Sequence, residues 1–485
     1  MSLLKKLAGE TAIYGLSSIV GRFLNFLLVP LYTRQFTPGE YGVVSELYAY
    51  SGFLMVLFSY RLESAFFRYG TDEKERNSVY STALLSLLGS SVFLLLAIFV
   101  FTPEISGTLG YAAHPEYIRC FALILALECL SELPFARLRL EQRPKRFVAA
   151  KLVNIGLNIV LNLFWVVFCP WMFAHGFTWV RIVWLPDVGV GFVFLSNLLA
   201  SLATLLFLLP EIRKMQFQFD VERWKKMMRY AGPLVIVGFA GVINEMLDRA
   251  MLKQLLPGTP AENLAQLGIY SANYKLAMLI TLCTQAYRYA AEPFFFRNAE
   301  GKDALQLQAN AAKWFTIAGS AAILGILLFL DLFKHFIGVR FHSGLKVVPV
   351  LLLANLFLGI YYNFSVWYRL KDRTMTGAWI GIAGAGITIL LNLWWAPVLG
   401  YMGAAWATLV CYFSMASATW WTGRMLHPVP YPLGKMAFFI VLAFALFGLS
   451  EWIKPMIDHR FIRLTVNAFL ILPFLLAAYR EFSES

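Results

Sequence analysis

Stretches of about 20 predominantly apolar residues, each closed by charged or Pro/Gly-rich positions, recur from one end of the chain to the other, and one such stretch is what a helix needs to cross roughly 30 Å of hydrocarbon. The pattern predicts fourteen spans, at residues 11–33, 42–62, 79–101, 117–135, 148–169, 188–209, 230–252, 267–288, 313–332, 345–367, 376–395, 403–421, 434–452 and 462–480. The expected fold is therefore an all-α polytopic membrane protein of about 14 transmembrane helices. An even number puts both ends of the chain on one side.

Composition supports this reading. Of 485 residues, 59% are apolar and only 14% charged, where a soluble domain carries about 25% charged residues. A soluble globular protein and a disordered chain are both excluded. The five cysteines lie in or beside apolar runs, where a thiol behaves as a small hydrophobe, and cannot form a disulfide framework. The first apolar run is too long for a removable signal segment and has Arg22 at its centre, so it reads as a span.

The net charge of +13 changes meaning once the 41 Lys and Arg are sorted by position. With residues near span ends counted in the adjoining link, the N-terminus and every second link after it hold 28, the opposite links hold 10, and three are left to the spans: Arg22, Arg249 and Lys275. Basic residues accumulate in cytoplasmic loops, so both termini are expected in the cytoplasm. Topology and anionic headgroups then account for the surplus, and nucleic acid is not an expected partner.

The links are short; the longest on the outer side runs from Pro170 to Asp187, too little for a catalytic domain. No Gly-rich phosphate loop, CxxC pair or His/Glu metal spacing is visible. The chain is not expected to be an enzyme or to carry a cofactor or metal.

Two stretches repeat. Gly42, Ser45 and Tyr48 at the start of the second span align with Gly268, Ser271 and Tyr274 in the eighth, an offset of 226, and Ile159-Val-Leu-Asn-Leu-Phe-Trp165 matches Ile389-Leu-Leu-Asn-Leu-Trp-Trp395 at an offset of 230. Matched spans are an even number apart, which gives both copies one orientation and predicts two six-helix lobes in parallel repeat around a central cavity. The expected organisation is an N-lobe at 1–212, a cytoplasmic linker at 213–229, a C-lobe at 230–424 and two further helices in 425–485.

A charge within hydrocarbon costs at least about 2.5 kcal/mol, which makes intramembrane ionisable groups candidates for function. Arg22 shares a helical face with Asn25, and Lys275 lies well inside the eighth span. Facing a cavity, both would attract an anionic group such as pyrophosphate, Arg through its bidentate fork and Lys as a point charge. Alternatively, Arg22 pairs with Glu46 and only holds helices together. Arg249 lies beside Asp248 and four residues after Glu245, the spacing of an intrahelical pair. Glu128 and Glu132 lie one turn apart and suit either ion coupling, for which Glu46, Glu245 and Asp248 are further candidates, or a structural role. Asn154, Asn158 and Asn162 form a stripe that suits interhelical hydrogen bonds or a sugar-facing wall. Glycines at 238, 241, 377, 381 and 384 suit close helix packing, and Trp171, Trp179, Trp184, Trp367 and Trp452 suit an interfacial belt.

Gly15-Leu-Ser-Ser-Ile-Val-Gly-Arg22, Pro30-Leu-Tyr-Thr-Arg34 and Thr37-Pro-Gly-Glu-Tyr-Gly42 together resemble the opening of bacterial polysaccharide transporters, the Wzx-type O-antigen and capsule repeat-unit flippases of the multidrug/oligosaccharidyl-lipid/polysaccharide (MOP) exporter superfamily. Asp248-Arg249 with Gly268-Ile-Tyr-Ser-Ala-Asn-Tyr-Lys275, and Asn392-Leu-Trp-Trp-Ala-Pro397 with Gly400-Tyr-Met-Gly-Ala-Ala405, are similar to later parts of that family. The resemblance covers the whole chain. It implies alternating access, a location in the bacterial inner membrane, and translocation of an undecaprenyl-pyrophosphate-linked oligosaccharide, with Arg22, Lys275 and Arg249 toward the pyrophosphate. It further implies membrane lipids and other polysaccharide-assembly membrane proteins as partners. An ion-coupled multidrug or small-molecule exporter of the same fold, a peptidoglycan lipid-precursor flippase and a membrane-embedded glycosyltransferase or polymerase remain as alternatives.

Overall fold

The computed structural model describes residues 21–297 apart from 22 and 25, residues 303–457 and residues 459–483. Its long helices are α1 (Pro38–Ser59), α2 (Glu73–Val100), α3 (Pro115–Leu140), α4 (Pro144–Leu163), α5 (Gly191–Phe207), α6 (Val221–Leu255), α7 (Pro260–Arg297), α8 (Ala304–Leu328), α9 (Val348–Phe364), α10 (Thr374–Leu399), α11 (Tyr401–Leu426), α12 (Leu433–Ile453) and α13 (Arg460–Ser483). No strand occurs among the described residues. The all-α membrane fold is thus borne out, and each expected span from the second to the fourteenth coincides with one helix. By length and apolar content, 9 helices among the described residues qualify as membrane-crossing. The segments around α3, α5, α7 and α11 do not, and most of the first expected span lies outside the described residues, so the figure of fourteen is not confirmed.

Local chemistry sets the helix starts. Thr37 and Glu40 form a capping box before α1, with Pro38 in the first turn. Thr259, Pro260 and Glu262 repeat it before α7: each threonine N–H donates to the glutamate, at 2.7 Å and 2.9 Å. Asp220 caps α6, and hydrogen bonding from the Arg223 backbone N–H leads the effects that hold its carboxyl below the ordinary range.

The offset of 230 found in the sequence reappears in backbone geometry. The turn from α3 to α4 places Gln142 at φ 53°, and the turn into α10 places Asp372 at φ 53°. The N–H of Arg143 donates to Leu138 at 2.9 Å, and that of Arg373 to Tyr368 at 2.7 Å. The helix α3 and the short helix Val366–Leu370 therefore end in the same left-handed cap, closed by a six-to-one hydrogen bond. At the first turn, Glu141 is pushed up by burial, but hydrogen bonds from Arg137 and Lys214 outweigh that and hold it below the usual carboxylate range.

Residues 1–268 and 269–485 form two compact units, so α6 groups with the first and the division falls within α7. The first unit's core joins α1, α2 and α3 through Phe58, Tyr80, Leu87 and Leu133, with Met227 and Ala231 of α6 beside them. In the second unit, Ile317, Leu324, Phe439 and Phe474 join α8, α12 and α13. Lys313 donates to Glu481 at 2.7 Å within this contact, and Lys435 adds a second link at 2.8 Å.

Two sequence expectations need correction. Trp367 is not interfacial: it is 1% exposed, its ring nitrogen donates to the Thr419 carbonyl at 3.3 Å, and Gly423 gives it room. Gly241 and Gly381 face open space, whereas Gly238 and Gly377 admit Arg61 and Tyr368 closely, as their proposed packing role requires.

Candidate functional site

Glu46, on the third turn of α1, is fully buried and gathers donors from three segments of the first unit. Tyr111 donates to it through a very short hydrogen bond, Tyr50 donates at 3.0 Å, and Lys253 of α6 approaches at 3.0 Å. The Lys253 ammonium also donates to the Leu109 carbonyl at 2.5 Å and sits 4.3 Å from the centre of the Tyr111 ring. Burying two charges is offset only when geometry and extra hydrogen bonds satisfy them, and this cluster supplies both. The carboxylate that sequence reasoning offered to Arg22 is thus engaged by Lys253. Arg22 and Asn25 lie outside the described residues.

One turn before Glu46, α1 meets the start of α7 backbone to backbone. A side chain on Gly42 would stand 2.1 Å from the Leu264 carbonyl oxygen, and one on Gly268 would stand 1.9 Å from that of Pro38. The two glycines aligned by the repeat therefore make one reciprocal crossing, which only glycine permits.

Arg249 is 9% exposed and its guanidinium donates to the Glu245 backbone carbonyl through a very short bond and to Asp248 at 3.4 Å. The expected Glu245–Arg249 pair is therefore made through the main chain, and the Glu245 side chain is exposed. Lys275 is half-buried on α7.

Elsewhere in the first unit, Glu128 accepts from Ser201 at 3.3 Å, and Asn197 donates to Tyr48 at 3.0 Å. Glu132 faces Ser59 and Arg61. Lys151 lies within electrostatic reach of both glutamates, its ammonium 4.3 Å from the Phe135 ring centre. The asparagine stripe is hydrogen-bonded: Asn154 donates to Thr204 at 3.0 Å, while Asn162 accepts from Tyr32 at 2.9 Å and donates to Asn158.

Sequence reasoning missed Lys253 and Lys151 because it assigned both to links. The signals were present. No Gly or Pro occurs between Gly241 and Pro257, so α6 carries Lys253 within its last turn, and Pro144 starts α4 early enough to place Lys151 two turns inside it.

These features define a multi-pass membrane protein with buried ion pairs between helices. The fold is that of the MOP transporters: the structure matches a lipid II flippase, MurJ in an inward closed conformation, with a TM-score of 0.71 at 12% identity over 96% of this chain and 98% of that one. It also matches an inward-facing multidrug resistance MATE family transporter with a TM-score of 0.64 at 15% identity, over 83% of this chain and 94% of that one. Residues 7–298 match the polysaccharide biosynthesis protein family, and the chain belongs to it. An Lsg locus protein of Haemophilus influenzae (strain ATCC 51907 / DSM 11121 / KW20 / Rd) is 20% identical over 426 residues, spanning 84% of this chain and 98% of that protein.

Proposed function

We propose that the protein is a flippase that moves an undecaprenyl-pyrophosphate-linked oligosaccharide, a repeat unit of O-antigen, capsule or exopolysaccharide, from the inner to the outer leaflet of the bacterial inner membrane by alternating access. One conjunction carries this reading: membership of a polysaccharide biosynthesis family together with the fold of a lipid II flippase over nearly the whole chain. Both termini are cytoplasmic in it, residues 1–212 and 230–424 act as the lobes, and 213–229 links them. Arg22, Asn25 and Lys275 take the pyrophosphate, with Arg249, oriented by Asp248, in support. Asn154, Asn158 and Asn162 are the candidate sugar-facing positions, with Asn154 and Asn162 also hydrogen-bonded to Thr204 and Tyr32. No covalent bond changes, so no cofactor is needed.

Deleting the gene is expected to leave the lipid-linked glycan on the inner leaflet. Arg22→Ala and Lys275→Ala should accumulate in the membrane as folded protein yet fail to restore surface polysaccharide. Full restoration by both variants would remove the pyrophosphate assignment.

The Glu128, Glu132 and Lys151 cluster favours a second reading, an ion-coupled exporter of small molecules on the same fold, because paired half-buried carboxylates within a span can carry a coupling ion. In that case Glu128→Gln and Glu132→Gln would abolish drug efflux while surface polysaccharide stayed normal. Unchanged efflux in both variants would discard it.

A further inference from the structure

Beside the Glu46–Lys253 pair, α1, α2, α3 and α6 leave a cavity of about 540 Å³ wholly within the first unit. Phe53, Leu54, Ile98, Phe121, Ala122 and Met251 are among the residues that line it. Its volume falls in the roughly 300 to 1,000 Å³ range of small-molecule sites and is several times that of the ~150 Å³ apolar cavity that takes up benzene.

Two observations identify the occupant. The wall carries just two polar side chains, Tyr50 and Ser51, and their hydroxyl protons are committed, to Glu46 at 3.0 Å and to the Tyr48 carbonyl at 2.7 Å. A buried water needs two to four polar partners, so this space does not hold water well. An empty space of that size forfeits dispersion contacts on every wall. Secondly, α1, α2 and α6 are each long and apolar enough to cross a membrane, so lipid hydrocarbon is the apolar material available to these helices.

We propose that this cavity is a binding site for a single lipid hydrocarbon chain. The inference stands apart from the transport reading, since it requires only that the chain is a membrane protein. The bound chain would also keep water from the Glu46–Lys253 pair, because Tyr50 and Leu109 line the cavity and bond directly to that pair.

The test uses the full-length protein in bilayer discs of phosphatidylethanolamine and phosphatidylglycerol. One arm contains a phospholipid with a diazirine in its acyl chain, the other a polyisoprenyl phosphate with a diazirine in its tail. After irradiation, labelled positions are mapped by mass spectrometry. Labelling at Phe53, Leu54 and Ala122 is expected to saturate with one of the probes and to be displaced by the unlabelled lipid. Labelling at Phe93 and Leu96, exposed on α2, should rise in proportion to probe. Saturation by the acyl probe identifies a phospholipid chain, and saturation by the polyisoprenyl probe an isoprenoid. Ala122→Trp and Ser51→Phe, which fill the cavity, should each lower labelling at Phe53 and Leu54 to the level at Phe93. Gel filtration checks their folding, and a variant that does not fold is set aside in favour of the other and of the saturation curve. Unsaturable labelling by both probes, or unchanged labelling in the folded filled variant, would overturn the proposal.

Discussion

Glu46→Ala will destabilise the protein by about 3–5 kcal/mol, the cost of leaving a buried charge without its counterpart. Lys253 has a side chain only 10% exposed and is held against the Leu109 carbonyl and the Tyr111 ring, so it must give up these contacts to reach water. The Tyr111 and Tyr50 hydroxyls lose their acceptor in the same step. Lys253→Ala strands Glu46 and should cost a similar amount. The double variant Glu46→Leu/Lys253→Met removes both charges, and replacing a buried pair with apolar residues is often neutral or stabilising, so most of the loss should return. Thermal unfolding of the four purified proteins in one detergent tests this. Single variants that melt with the wild type would show that the pair reaches water and is not a buried element of the unit.

The second large effect is expected at the glycine crossing. In an exposed helix interior, Gly→Ala stabilises by roughly 0.5–1 kcal/mol through lost unfolded-state freedom. At Gly42 and Gly268 the sign reverses, because the added carbon meets main-chain oxygens at 2.1 Å and 1.9 Å, which cannot rotate away as a side chain can. Gly42→Ala and Gly268→Ala should each separate α1 from α7, lower folded yield and abolish any function that needs this contact. Gly89→Ala and Gly241→Ala, where the new carbon meets nothing within 4 Å, are the controls and should hold or slightly raise the melting temperature. Equal behaviour of the two pairs would mean that the crossing is looser than described.

How far the sequence could be read follows from what each feature depends on. Span positions depend on runs of apolar residues, which are local, and thirteen of them fell on helices. The repeat was legible because Gly42 and Gly268, and the Asn162 and Asn392 neighbourhoods, kept their residue types. The candidate site was less legible. Sorting basic residues by link left three within the spans, yet Lys253, Lys151 and Lys313 also project from helices into protein. A lysine near a helix end can extend outward to water or turn inward to a carboxylate. That choice is made by residues more than a hundred positions away: Glu46 for Lys253 and Glu481 for Lys313. Trp367 failed for the same reason, since a tryptophan at a span end suits both an interface and a core, and a distant glycine, Gly423, settled the matter.

The Lys313–Glu481 contact bears on the order in which the protein is made. The two residues are 168 positions apart, and at about 5–20 residues per second the ribosome needs roughly 8 to 34 s to pass from one to the other. During that interval α8 has been synthesised but the Glu481 carboxylate has not, so until α13 arrives the Lys313 ammonium must be satisfied by water or by other groups.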